Sequence, residues 1–331
     1  MSDVRPAFLI TIDTEGDNAW SKPEHTQTEN SKFLPRFQVL CEKYSFSPTY
    51  LTNHEMAIEP RFVSMARAAI KNGAAEVGMH LHAWDSPPIS PLTSADHRFH
   101  PYLIDFQVEQ MRAKIAYMTT LLEDTFSLKM RSHRAGRWAF NGVYARLLAE
   151  CGYVVDCSVT PGHSWAHVPG APGKFGIDYT DYPDAPYFLD FDDIRRAGRS
   201  TLLELPMTIR RSMIHRRLPS AYSLPIVSSA LRRLTPAVLW LRPNGRNLAD
   251  MLDIVDWAER TNRPYIEFMI HSSEFMPGGS PYFKDNSSVD KLYEDLNVLF
   301  QRIARSFTGA TLSAFHDQWV RTDEPQYGKV G

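Results

Sequence analysis

Five short polar clusters follow apolar, strand-like runs, and each carries side chains suited to proton transfer or metal binding. They are Asp13-Thr14-Glu15-Gly16-Asp17 after Ala7–Ile12, His80-Leu81-His82 after Glu76–Met79, Arg134-Ala135-Gly136-Arg137 after Met130, Asp156-Cys157-Ser158 after Tyr153–Val155, and His271-Ser272-Ser273-Glu274 after Tyr265–Ile270. Side chains alternate along an extended strand, so Asp13, Glu15 and Asp17 share one face, as do His80 and His82. Carboxylates crowded on one face repel unless a cation or a guanidinium neutralises them. One carboxylate with two imidazoles is a common shell for a catalytic divalent metal that keeps an open position. Arg134 and Arg137 bracket two small residues that let the backbone pass close to a neighbour. One of these guanidinium groups suits the Asp13 carboxylate. His271 is the expected general acid toward a leaving amine, with Asp156 as the expected carboxylate behind it.

Such chemistry needs a scaffold that gathers strand ends, and the rest of the chain reads as one. Strands are predicted at Phe8–Ile12, Pro48–Thr52, Glu76–His80, Met130–Arg134, Val154–Ser158, Thr201–Leu205, Ile266–His271 and Thr311–Phe315. Between them, apolar residues recur at three and four over Lys32–Tyr44, Pro60–Lys71, Phe106–Asp124, Asn141–Cys151, Asn247–Thr261 and Asp290–Ser306, the period of amphipathic helices. Strands alternating with helices imply a parallel sheet with right-handed crossovers, and seven or eight such units imply a barrel. Residues 1–331 read as a single α/β barrel domain with long loops at 84–101 and 159–199 as cleft walls. A third insertion, 206–249, holds no Asp or Glu and carries Arg210, Arg211, Arg216, Arg217, Arg232, Arg233, Arg242 and Arg246 among apolar residues. It reads as a basic helical insert suited to a pyrophosphate, an anionic headgroup or a membrane surface.

Composition narrows the setting. A net charge of −2 gives no global attraction to nucleic acid, and no run approaches the ~20 apolar residues of a membrane span. The opening Met1-Ser2-Asp3-Val4-Arg5-Pro6 lacks the features of a signal peptide, and Cys41, Cys151 and Cys157 form no disulfide framework. Both point to a cytoplasmic location.

The order and content of the clusters resemble the NodB-homology polysaccharide deacetylases, carbohydrate esterase family 4, and most closely their WalW-like branch. The resemblance runs from Phe8 to about Phe283. It rests on Thr11-Ile12-Asp13-Thr14-Glu15, Pro48-Thr49-Tyr50-Leu51-Thr52, Glu76-Val77-Gly78-Met79-His80-Leu81-His82, His133-Arg134-Ala135-Gly136-Arg137-Trp138, Asp156-Cys157-Ser158-Val159 and His271-Ser272-Ser273. It implies a distorted (β/α)7 barrel that uses a divalent metal, expected to be zinc, to remove an N-acyl group, usually acetyl, from an amino sugar. By position, Asp13 matches the family's base, Glu15 its metal-binding acid, His80 a metal-binding histidine, Arg134 the arginine that holds the base, and His271 the acid. Asp156 falls in the motif near that histidine.

Two positions depart from the family's usual pattern. Thr14 separates the two acids, the second of which is Glu15, and the residue four after His80 is Trp84. His82 is the expected remaining ligand, with His97, His100 and Asp85 as alternatives. Trp84, Trp138, Arg137 and Arg242 are the expected substrate contacts, with Trp20 and Tyr102 as further stacking surfaces. The expected substrate is a nucleotide- or lipid-linked amino sugar in surface-polysaccharide or lipopolysaccharide biosynthesis. Two other readings use the same barrel: hydrolysis of a small non-sugar amide, or carbohydrate binding without catalysis.

Overall fold

The computed structural model describes residues 5–17, 19–21, 26–168, 170–171, 173–211 and 238–323. Its strands are β1 (Ala7–Thr14), β2 (Thr49–Thr52), β3 (Glu76–Leu81), β4 (Ser132–Ala135), β5 (Val155–Asp156), β6 (Tyr187–Phe188), β7 (Leu203–Glu204), β8 (Ile209–Arg211), β9 (Val238–Trp240), β10 (Tyr265–His271) and β11 (Thr308–Ala310). The main sheet runs β10-β1-β2-β3-β4-β5-β7-β6, parallel throughout except for β6 against β7. Every residue of β1 is buried, as expected of a central parallel strand covered on both faces. Helices Leu34–Lys43, Pro60–Lys71, Val108–Phe126, Gly142–Glu150, Leu248–Arg260 and Asn286–Ile303 pack their apolar stripes outside this sheet. In Val108–Phe126, for example, Met111, Ile115, Met118 and Leu122 are all buried.

The sheet curls, and segments beyond β7 lie along its β10 edge. The Glu267 amide donates to Thr208 Oγ1 at 2.8 Å, and the Met269 amide donates to the Leu241 carbonyl at 3.2 Å. No ladder joins β7 to β10 among the described residues. The expected seven-unit barrel is therefore a curled half-barrel sheet of the same type, with a seam held by single hydrogen bonds. Curvature also decides which clusters meet. The strands carrying Asp13 and His80 are not neighbours, because β2 lies between them, and the curl brings their ends together.

Two expected elements change. The strand expected at Thr311–Phe315 is a helix, Leu312–Asp323, with β11 just before it, pairing with the start of β1. Leu312, Phe315 and Trp319 follow helical spacing and fill one apolar cluster. The basic insert is described only at its ends, where β8 and β9 pair as antiparallel strands rather than helices. Arg216, Arg217, Arg232 and Arg233 lie outside the described residues.

Candidate active site

Strand register sets the site. On β1 and β10, Asp13 is the direct partner of His271, and on β3 and β4, His80 is the direct partner of Arg134. Gly136 then lets the chain cross the neighbouring strand end: a methyl group there would lie 2.5 Å from the Leu81 carbonyl oxygen. That close approach holds the Arg134–Arg137 turn against the His80–His82 segment.

Glu15, His80 and His82 converge with donor atoms within 4.8 Å of one another, all three residues buried. No other such group of three His, Cys, Asp or Glu side chains occurs among the described residues. His80 Nε2 and His82 Nε2 are 3.1 Å apart, and Glu15 Oε2 lies 3.2 Å from His82 Nε2 and 3.7 Å from His80 Nε2. A tetrahedral ion with bonds near 2.1 Å separates its donors by roughly 3.4 Å, so this triangle fits one face of a zinc-like polyhedron. The protonation pattern fits as well. His80 Nδ1 lies 2.9 Å from the Arg134 carbonyl, which only accepts, so Nδ1 carries the proton and Nε2 faces the site. Burial opposes a charge on this ring, but Asp13 and Glu15 raise its pKa, so a cation at Nε2 would displace a proton there. Burial pushes His82 down to about 3, so that ring is neutral at physiological pH. Burial opposes a charge on Glu15, yet His271, His80 and His82 outweigh it and hold its pKa below the usual value. The donor set therefore suits a divalent cation, with Glu15, His80 and His82 as the residues that would hold it. His97 lines a smaller adjoining cavity with Asp85 instead of joining the triad.

Asp13 and His271 flank the triad. Arg134 Nη1 donates to Asp13 Oδ1 at 2.6 Å. Asp13 Oδ2 faces His271 Nε2 at 3.8 Å, and the same nitrogen lies 3.7 Å from Glu15 Oε1. Burial alone would raise the Asp13 pKa, but Arg134, His80 and His271 hold it well below the ordinary carboxylate range. The Arg134 guanidinium is fully buried and also donates to Thr11 Oγ1, at 2.7 Å, and to Glu267. Burial, countered in part by Arg134, lifts Glu267 to about 7.

Two expected site residues lie elsewhere. Asp17 turns away from the triad and accepts from the Glu29 and Asn30 amides, at 3.0 and 2.9 Å. Asp156 does not back His271. It is the register partner of His133 and holds His133 Nδ1 at 2.5 Å, several strands from β10. The carboxylate behind His271 is Glu274, whose Oε2 lies 3.2 Å from His271 Nδ1 and accepts from the His271 amide at 2.9 Å. Arg242 Nη2 completes this corner, 3.0 Å from His271 Nδ1 and 3.4 Å from Glu274 Oε2.

These groups open into a cleft of about 390 Å³ whose walls include Trp20, Trp84, Tyr102, Arg137, Trp138, Trp165 and Arg242. Trp165 has no counterpart among the residues expected from sequence. Trp84 stacks on His82 with ring centres 4.4 Å apart, and the Trp20 ring meets His271 at 4.8 Å. Aromatic faces around a polar centre suit sugar rings. Arg137 and Trp138 both adopt left-handed backbone angles, with φ of 55° and 60°. For residues of this size that conformation costs roughly 1–2 kcal/mol each.

No family model and no curated protein sequence matches this chain. Solved structures do. A Mycobacterium smegmatis protein inferred to be a polysaccharide deacetylase superposes with a TM-score of 0.56 at 14% identity, over 100% of this chain and 96% of the other. A Parabacteroides distasonis protein inferred to be a glycoside hydrolase or deacetylase gives 0.59 at 9% identity, over 97% of this chain and 73% of the other. A GH57-type branching enzyme of Pyrococcus horikoshii gives 0.52 at 10% identity, over 98% and 71%. The fold is thus one shared by proteins placed among the deacetylases and by a GH57-type branching enzyme. At these identities the likeness speaks for the fold alone, and the site must decide the chemistry.

Proposed function

We propose that this protein is a metal-dependent N-deacylase of an amino sugar, with acetyl as the acyl group and zinc as the metal. The observation that carries the reading is the buried Glu15–His80–His82 triangle, flanked by an arginine-clamped Asp13 and by His271. A divalent ion at that triangle would polarise the amide carbonyl and make water a usable nucleophile near neutral pH. Asp13 takes the proton of the attacking water on Oδ2, the oxygen that Arg134 leaves unbound. His271 delivers a proton from Nε2 to the departing nitrogen, while its Nδ1–H donates to Glu274, which Arg242 in turn holds in place. The aromatic walls hold the sugar, and Arg134 keeps Asp13 ionised and oriented.

The motif string supports a place in the WalW-like branch. Buried thiols at Cys41 and Cys157, free of any disulfide, support a reducing compartment. No helix among the described residues is long and apolar enough to cross a membrane. The arginines of the insert support a nucleotide- or lipid-linked substrate in surface-polysaccharide or lipopolysaccharide biosynthesis.

The test is acetate release from a panel of N-acetylated amino sugars, with metal analysis of the same preparation. One zinc-class ion per chain is expected, with turnover abolished by a chelator and restored by added Zn2+. Metal-free protein that releases no acetate after Zn2+ addition sinks the proposal. A second expectation concerns the His271 corner. Glu274→Gln removes the carboxylate that orients His271, so kcat should fall about 100-fold, within what a positioned proton donor contributes. KM and metal content should change little, and an unaltered kcat would remove Glu274 from this role.

A further inference from the structure

The guanidinium of Arg137 has no hydrogen-bond acceptor and no ion pair among the described residues, and its Nε is buried without a partner. This is unusual for a largely buried charge. Every other arginine of the site is satisfied: Arg134 by Asp13 and Glu267, and Arg242 by Glu274. Arg137 is also held in place. His82, Trp84 and Arg137 form a column, with the Trp84 ring stacked on His82 and the Arg137 guanidinium 5.1 Å above the Trp84 ring centre. The backbone beneath adopts the left-handed conformation at Arg137 and again at Trp138, a costly arrangement for residues with large side chains. The side chain borders both the main cleft and the smaller cavity beside it, so its free edge is open to a bound molecule.

We infer that Arg137 is the receptor for an oxyanion, a carboxylate or a phosphate, carried by the substrate close to the scissile amide. A planar guanidinium presents a fork of N–H donors that matches either group, and neutral hydroxyls leave its charge unmet. The column that fixes the fork also touches a member of the metal triad, so binding of the anion and placement of the amide are geometrically linked. The part of this inference that concerns turnover rests on the deacylase reading; the part that concerns binding does not.

The experiment measures both quantities. Equilibrium affinity and kcat/KM are compared for N-acetylglucosamine, for N-acetylmuramic acid as the carboxylate probe, and for N-acetylglucosamine 1- and 6-phosphate as phosphate probes. The variant is Arg137→Asn, because asparagine tolerates the left-handed backbone and carries no charge. The parent protein is expected to bind one anionic class at least tenfold more tightly than the neutral sugar, and the better class identifies the source of the anion. In Arg137→Asn the ratio of anionic to neutral affinity should fall to about one. Equal affinity for all probes in the parent overturns the inference, and so does a preference that survives in Arg137→Asn. Absence of turnover with every probe would sink the deacylase proposal, while the affinity ratios still decide the role of Arg137.

Discussion

An Asp13→Asn variant is expected to hydrolyse an N-acetylated amino sugar about 10²–10⁴-fold more slowly than the parent, the range a positioned proton acceptor contributes. Its metal content should be unchanged. The asymmetry of the carboxylate is the reason. Arg134 holds Oδ1 at 2.6 Å, and Oδ2 faces the site, 3.8 Å from His271 Nε2. An asparagine can still accept from Arg134 with its amide oxygen, but its other edge then offers donors where an acceptor is needed. The side chain keeps its shape, and Arg134 keeps Glu267 as its counter-ion, so unfolding should cost only about 1–3 kcal/mol less. Glu15→Gln is the necessary contrast, since it weakens a ligand and should release metal. Kinetics alongside metal analysis separates the two acids. Loss of metal from Asp13→Asn would make Asp13 a ligand, and an unchanged rate would remove it as the base.

The residues that the structure brings to the triangle, and that the sequence singles out, share one property: their position follows from local geometry at a strand end. Glu15, His80 and His82 needed only the alternation of side chains and the curl of a parallel sheet. Asp13 and His271 meet because their strands pair in register along seven residues. The failures lie where a contact depends on strand order or on a turn. Asp156 was expected behind His271 because both close apolar runs, but strand order sets it beside His133. Glu274 reaches His271 only because residues 272–275 form a short 3-10 turn that folds its carboxylate back under the ring. The three-residue spacing from His271 to Glu274 was the available signal. Glu267 had a plainer one, an acid in the middle of the apolar run Tyr265–Ile270. Fold type was legible from the alternation of periods, whereas the open seam between β7 and β10 was not, because strands of two residues leave almost no pattern to read.

The largest expected loss of stability follows from Arg134→Met. Arg134 is fully buried and serves two buried acids at once, Asp13 on β1 and Glu267 on β10, with Thr11 between them. Removing one member of a buried ionic network while leaving the others costs about 3–5 kcal/mol, because the remaining charge has no counter-ion. Here two buried carboxylates that repel each other are left without their shared cation, and Glu267 already has one oxygen without a partner. The pH dependence has a definite sign. In the parent, the lowered pKa of Asp13 is stability present above its unfolded value of about 3.8 and lost as pH falls. In the variant, Asp13 loses the guanidinium that held its pKa down, and Glu267, already lifted to about 7 in the parent, is lifted further. The added cost then grows as pH rises above about 4 and continues to grow above about 7. Denaturant titrations at pH 5 and pH 8 should therefore show the deficit of Arg134→Met widening toward alkaline pH. Adding Asp13→Asn and Glu267→Gln should recover part of that deficit, since no uncompensated charge remains, and should not recover turnover. A deficit independent of pH, or no recovery in the triple variant, would mean that Arg134 contributes packing under Trp138, whose ring centre lies 4.8 Å away, and that the paired acids do not depend on its charge.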